Sequence, residues 1–189
     1  MHKALLGFSW GFRKRWSLSG WPWSWTPGVS NDVMARWAIR HWSEFVHHSL
    51  QVEISDAAQS VRIVQPECTV DGLAHKRKYS RDTQIIAEKH LDGIVAAGLN
   101  LNEIEYVVLC KEEHYSGCRG LLFQQLRARG VVYPQISRAP IKVPFDRHSA
   151  QWYTRGPIRV LLYKIYRGIE LLWSGEIKPR QILKIVTGG

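Results

Sequence analysis

The chain has 189 residues, 45% of them hydrophobic and 22% charged, enough apolar material for a packed core and too much for a disordered tail. Lys and Arg outnumber Asp and Glu by 26 to 16, a net charge of +10 that favours polyanionic or acidic partners over basic ones. Three cysteines at irregular spacing do not form a disulfide framework, and no apolar run approaches the ~20 residues of a bilayer-spanning helix, so no transmembrane segment is expected.

The first 31 residues contain Lys3, Arg13, Lys14 and Arg15 but no acidic residue. Serines are scattered among aromatics, the composition of a mitochondrial presequence, and the segment is read as a retained, import-competent arm. Seven of the nine tryptophans fall within the first 42 positions. Trp21, Trp23 and Trp25, punctuated by Pro22 and Pro27, cannot be a helix interior. They are expected at an interface with protein, RNA or a membrane surface, with packing onto the chain's own core as the alternative.

From Asp32 to about Ser49, Met34, Trp37, Ala38, His41, Trp42 and Phe45 recur at three- and four-residue steps and predict an amphipathic helix. His47 and His48 point in different directions and read as surface or helix-end residues. Residues 52–74 are acidic and weakly patterned, with a short strand expected at Val61–Val64. The densest positive run follows, including Lys76, Arg77, Lys78, Tyr79 and Arg81. Its tyrosine can stack on a base while its cations neutralise phosphates. With Arg13, Lys14 and Arg15 it makes up the candidate nucleic-acid contact. A helix capped by Ser80 or Asp82 and ending at Gly98 is expected next.

Ile104–Cys110 is a nearly continuous apolar run, as in a strand covered on both faces, and belongs near the centre of a sheet. A polar loop from Lys111 to Tyr115 is read after it. A helix then enters at Ser116-Gly117-Cys118-Arg119 and stops at Gly130. Ile141–Val143, between prolines, suggests a short strand. Val160–Ile165 and Ile169–Trp173 around Tyr166-Arg167-Gly168 read as a hairpin, and Pro179 as the first turn of a last helix.

The strand ending at Cys110, the Ser116-Gly117-Cys118-Arg119 helix entry, the proline-flanked third element and the terminal hairpin plus helix resemble a known domain. It is the thioredoxin-like domain shared by certain mitochondrial ribosomal proteins and a small peripheral subunit of respiratory complex I. The likeness spans residues 101–187. It implies an α/β fold, a mixed sheet with flanking helices over 99–189. Ahead of it stand a Trp-rich arm and amphipathic helix (1–51) and a linker with the basic loop and a helix (52–98). It also implies scaffolding rather than catalysis. The order of elements, with Trp173-Ser174, is similar too to selenoprotein W-like redox proteins. Cys110 and Cys118 are the candidate redox residues in that reading, although the paired cysteines of that group are not reproduced.

No catalytic motif, metal-ligand spacing or nucleotide-binding loop is found in the sequence. The expectation is therefore a non-enzymatic structural subunit of a large mitochondrial assembly, without cofactor or metal, in the matrix or on the matrix face of the inner membrane. The mitochondrial ribosome comes first, with ribosomal RNA and neighbouring proteins as partners. An accessory subunit of a respiratory complex or ATP synthase, touching the membrane surface through the N-terminal arm, and a thiol redox protein are the alternatives.

Overall fold

The structure, a computed structural model, describes residues 2–16, 23–62, 65–70 and 79–173. Its centre is a five-stranded sheet, in spatial order β5 (Cys68–Val70), β4 (His47–Gln51), β1 (His2–Gly7), β6 (Ile104–Leu109) and β7 (Gln135–Arg138). All four pairings are parallel. Helices α1 (Val29–Arg40) and α2 (Val52–Val61) cover one face, and α3 (Tyr79–Ala96) and α4 (Glu112–Ala128) the other. Alternation along β1 and β6 divides the core. Ala4, Leu6, Tyr106 and Val108 pack with Ile86, Leu91, Ile94, Leu122 and Leu126, while Leu5, Val107 and Leu109 pack with Met34, Ala38, Leu50 and Ile54. This is a helix-covered α/β architecture of the doubly wound kind.

The α/β class and the flanking helices expected from the sequence are found, and so is a strand over Ile104–Leu109 in an interior position. Helices α3 and α4 run out just before Gly98 and Gly130, both at positive φ. Several other elements differ from expectation. Residues 2–7 are the middle strand of the sheet rather than part of an arm. Arg13, Lys14 and Arg15 lie on β2 (Phe12–Trp16), and Trp23 and Trp25 on β3 (Trp23–Pro27), an antiparallel pair inserted between β1 and α1. The sheet thus takes strands from all three of the segments drawn at 1–51, 52–98 and 99–189.

The helix expected over 32–49 stops at Arg40. After a 3-10 turn at Trp42–Glu44 the chain becomes β4, in which all five residues are buried, His47 and His48 included. The polarity of His48 and Ser49 is absorbed by contacts distant in sequence, whereas both ring nitrogens of His47 are buried with no hydrogen-bond partner among the described residues. The Ser49 hydroxyl lies 2.5 Å from His90 Nδ1, and His48 Nδ1 lies 3.0 Å from the Glu67 carboxylate. Where a strand was expected at Val61–Val64, helix α2 occupies 52–61, and residues 63 and 64 lie outside the described ones. Helix α4 begins at Glu112, so its first turn is the stretch read as a polar loop. The second strand of the carboxyl half is Gln135–Arg138 rather than Ile141–Val143.

The hairpin is replaced by one continuous helix, α5 (Pro157–Trp173). Pro157 suits a first helical turn, and apolar residues at 158, 161, 162, 165 and 169 follow a 3.6-residue period, which outweighs the strand propensity of its Ile, Val and Tyr residues. The helix expected at Pro179 lies outside the described residues, as do Trp21, Lys76, Arg77 and Lys78.

Candidate functional site at the carboxyl edge of the sheet

In sequence order the sheet reads 3-2-1-4-5. From β1 the chain passes to α1 on one face, and from the adjacent β6 to α4 on the other. Divergent connections open a crevice outside the carboxyl ends of two such strands, and in open α/β sheets ligands bind there. Here that edge is formed by the segment after Gly7, the start of α4 after Cys110, and the loop leading into α5.

The turn after β1 is held at every residue. The Phe8 N–H donates to Leu109 O at 2.9 Å, carrying the β1–β6 ladder one step further, and the Ser9 N–H donates to Gln51 Oε1 at 2.8 Å. Asn31, fully buried in the first turn of α1, accepts from the Trp10 N–H at 2.9 Å and donates to Gly11 O at 2.6 Å. Gly11 has φ +72°, and a Cβ there would come 2.8 Å from both Ser149 Oγ and Thr154 Oγ1. Only glycine combines that backbone conformation with so close a neighbour.

Trp10 is 7% exposed. Its ring centroid lies 5.2 Å from that of His114, in the first turn of α4, and 6.5 Å from Tyr153, which it meets edge-on. The indole Nε1–H is buried with no hydrogen-bond partner among the described residues. Burial, and secondarily the nearby Lys164 charge, push the His114 imidazole down to about 4, so at neutral pH it is uncharged and able to accept a proton or a hydrogen bond.

Lys164 aside, the charges described around this pair are matched. Arg13 forms a two-pronged ion pair with Asp146, Nε to Oδ2 at 2.8 Å and Nη2 to Oδ1 at 2.9 Å. The same carboxylate accepts the Val29 N–H at 3.2 Å, capping α1 from across the molecule, and the His148 N–H at 3.0 Å. Burial pushes the Asp146 carboxyl up, but Arg13 and the two backbone N–H groups outweigh it and hold it below its ordinary value. Lys111, 4% exposed, donates from Nζ to Val143 O at 2.5 Å, pairs with Glu113 at 3.2 Å and sits 3.7 Å from the centre of the Phe145 ring. With the Ser30 hydroxyl donating to Pro144 O at 2.7 Å, these contacts hold the loop after β7 across the sheet edge.

Among the candidate residues whose side chains the structure describes, only Arg13 belongs to this cluster, and its guanidinium is committed to Asp146. Lys14 and Arg15 pair with Trp25 and Ser24 in the β2–β3 register, and Tyr79 and Arg81 lie in the first turn of α3. Cys110 and Cys118 do come together, under α4, and both are buried. Burial pushes the Cys118 thiol up, reinforced by a hydrogen bond to Cys110, the reverse of what an activated thiolate needs. Trp10, Asn31, Lys111, His114 and Asp146 escaped the sequence reading. Their one local signal is the glycine-bounded Gly7-Phe8-Ser9-Trp10-Gly11 directly after an apolar run. A surface depression lined by Asp92, Val95, Ala96, Leu101 and Arg129 lies at the opposite, amino edge and is apart from this chemistry. No family model matches the chain, and neither a curated protein nor a solved structure does.

Proposed function

We propose that this protein binds a small polar ligand at the carboxyl edge, where β1 and β6 diverge, with Trp10 and His114 as the recognition pair. The observation that carries this reading is the buried, unpartnered Trp10 Nε1–H beside an imidazole kept neutral. A buried donor without an acceptor costs about 1–3 kcal/mol, and an acceptor atom on a ligand offsets that cost. Because Arg13, Lys111, Asp146 and Glu113 are matched among themselves and Lys164 adds a single positive charge near His114, the site suits a neutral or singly anionic ligand carrying hydroxyl or amide groups rather than a polyphosphate. The Tyr153 ring, edge-on to the indole with centroids 6.5 Å apart, has to move aside for a ligand to reach the N–H.

Thermal melts of the full chain against a panel of neutral and singly anionic polar metabolites test the proposal. A ligand that raises the Tm of the native protein and not that of Trp10→Phe, which keeps a ring and removes the N–H, supports it. Identical responses of the two proteins, or none in either, overturn it.

The net charge of +10 favours a second reading, a structural subunit of a mitochondrial assembly in contact with ribosomal RNA. Its test is co-sedimentation with ribosomes that is lost after nuclease and at high salt.

A further inference from the structure

Helix α5 is attached to the body through the side opposite its most apolar stripe. Val160 is buried in the cluster formed by α1, α2 and the sheet, and Tyr163 stacks on Tyr153 at 4.2 Å between ring centroids. The other side carries Ile158, Leu161, Leu162, Ile165, Tyr166 and Ile169, all exposed, with Ile158 at 73% and Tyr166 at 60%. At 3.6 residues per turn these six fall on one stripe, while Arg159 and Lys164 fall beyond its two margins. Scattered apolar residues on a surface are ordinary; a continuous ridge along about three turns of one helix is not.

We propose that this ridge seats α5 in the interface of an anionic lipid bilayer, with the helix axis parallel to the membrane plane. Charge decides between occupants. Residues 148–189 carry a net +5 within a chain of net +10, so an anionic surface is attracted, whereas a second copy brings the same cations against themselves. The shape of the feature agrees, because a single convex helix presenting aliphatic and aromatic side chains with flanking Arg and Lys is the form that enters the headgroup boundary. None of the described helices is long and apolar enough to cross a membrane, so the contact is peripheral. This surface is separate from the Trp10–His114 site, and neither proposal depends on the other.

Flotation of the full chain with vesicles of phosphatidylcholine alone, and of phosphatidylcholine mixed with phosphatidylglycerol, tests the proposal. The expected result is recovery with the mixed vesicles, weak recovery with neutral ones, and loss at high salt. Ile158→Asp combined with Leu162→Asp, both at exposed positions, should reduce binding by about tenfold or more while leaving the Tm unchanged. Arg159→Gln should reduce it by roughly fivefold, the worth of one cation near an anionic surface. The proposal is overturned if the native protein floats with neither vesicle, or if the double variant floats as well as the native chain. It is also overturned if sedimentation velocity shows a dimer that the double variant dissolves, since a second copy would then cover the ridge.

Discussion

Arg13 and Asp146 are 133 residues apart in the chain and meet through two hydrogen bonds of 2.8 and 2.9 Å, with the Asp146 side chain 2% exposed. The pair joins the hairpin that follows the central strand to the loop that precedes α5, and the same carboxylate caps α1. Asp146→Asn keeps the shape and removes the charge, leaving Arg13 facing a neutral amide. The expected loss is about 2–3 kcal/mol in urea unfolding. A double-mutant cycle with Arg13→Gln should give a coupling above ~1 kcal/mol; a coupling near zero would mean that the two groups act independently.

Two glycines should respond to the same substitution with opposite signs. Gly11→Ala forces an alanine into the left-handed region and drives its Cβ into the hydroxyls of Ser149 and Thr154, a cost of roughly 2–4 kcal/mol. Gly117→Ala meets nothing within 4 Å inside helix α4 and should stabilise by roughly 0.5–1 kcal/mol, through the lower entropy of the unfolded chain. Chemical denaturation of both variants beside the native chain reads the contrast directly.

Elements whose stabilising partners lie close in sequence, or whose burial shows as plain hydrophobicity, were legible. Ile104–Leu109 announces itself because both of its faces are apolar, and Gly98 and Gly130 mark the places where two helices stop. Strand β4 was not legible, because His47, His48 and Ser49 have no strand signature, and only in the folded molecule do distant segments supply Glu67 to His48 and His90 to Ser49. The central strand β1 was obscured by the basic, aromatic residues after it, whose composition suggested an arm. Helix α5 was misread because its Ile, Val and Tyr content favours strands, and only its spacing reveals the helix. The site was hidden for the same reason as β4: Trp10, Asn31, His114 and Asp146 are isolated polar or aromatic positions until the sheet order gathers them.

Stability should fall on mild acidification. Burial, then the backbone contact to Gly7 acting in the opposite sense, then the neighbouring His47 charge, leave fully buried His90 lowered to about 3. A group lowered on folding contributes fully above its unfolded value near 6.5, and that contribution is lost as the pH drops below it, because the unfolded chain takes up a proton that the folded one refuses. Between pH 6 and pH 4 the loss from His90 is roughly 2–3 kcal/mol. His114, lowered to about 4, acts in the same direction. Urea midpoints at pH 7, 6 and 5 should decline in order, and the His90 ring resonances should stay unshifted over that range. A His90 titration near pH 6.5 would contradict the burial that produces the effect.

Thiol accessibility separates the three cysteines and tests the packing under α4. Cys68, at the start of edge strand β5, is only partly buried, whereas Cys110 and Cys118 are 1% and 0% exposed. A thiol reagent acts on the thiolate, so burial slows reaction both by blocking approach and, for Cys118, by holding the proton on sulfur. In the native protein one equivalent should therefore react readily, and Cys68→Ser should remove it. The other two should react only in denaturant, at rates that follow global unfolding as reported by urea. Rapid native-state modification of Cys110 in the Cys68→Ser protein would show that the strand-to-helix junction opens locally. It would also restore the thiol reading of this chain, which the packing of Leu122 and Leu126 against the sheet otherwise disfavours.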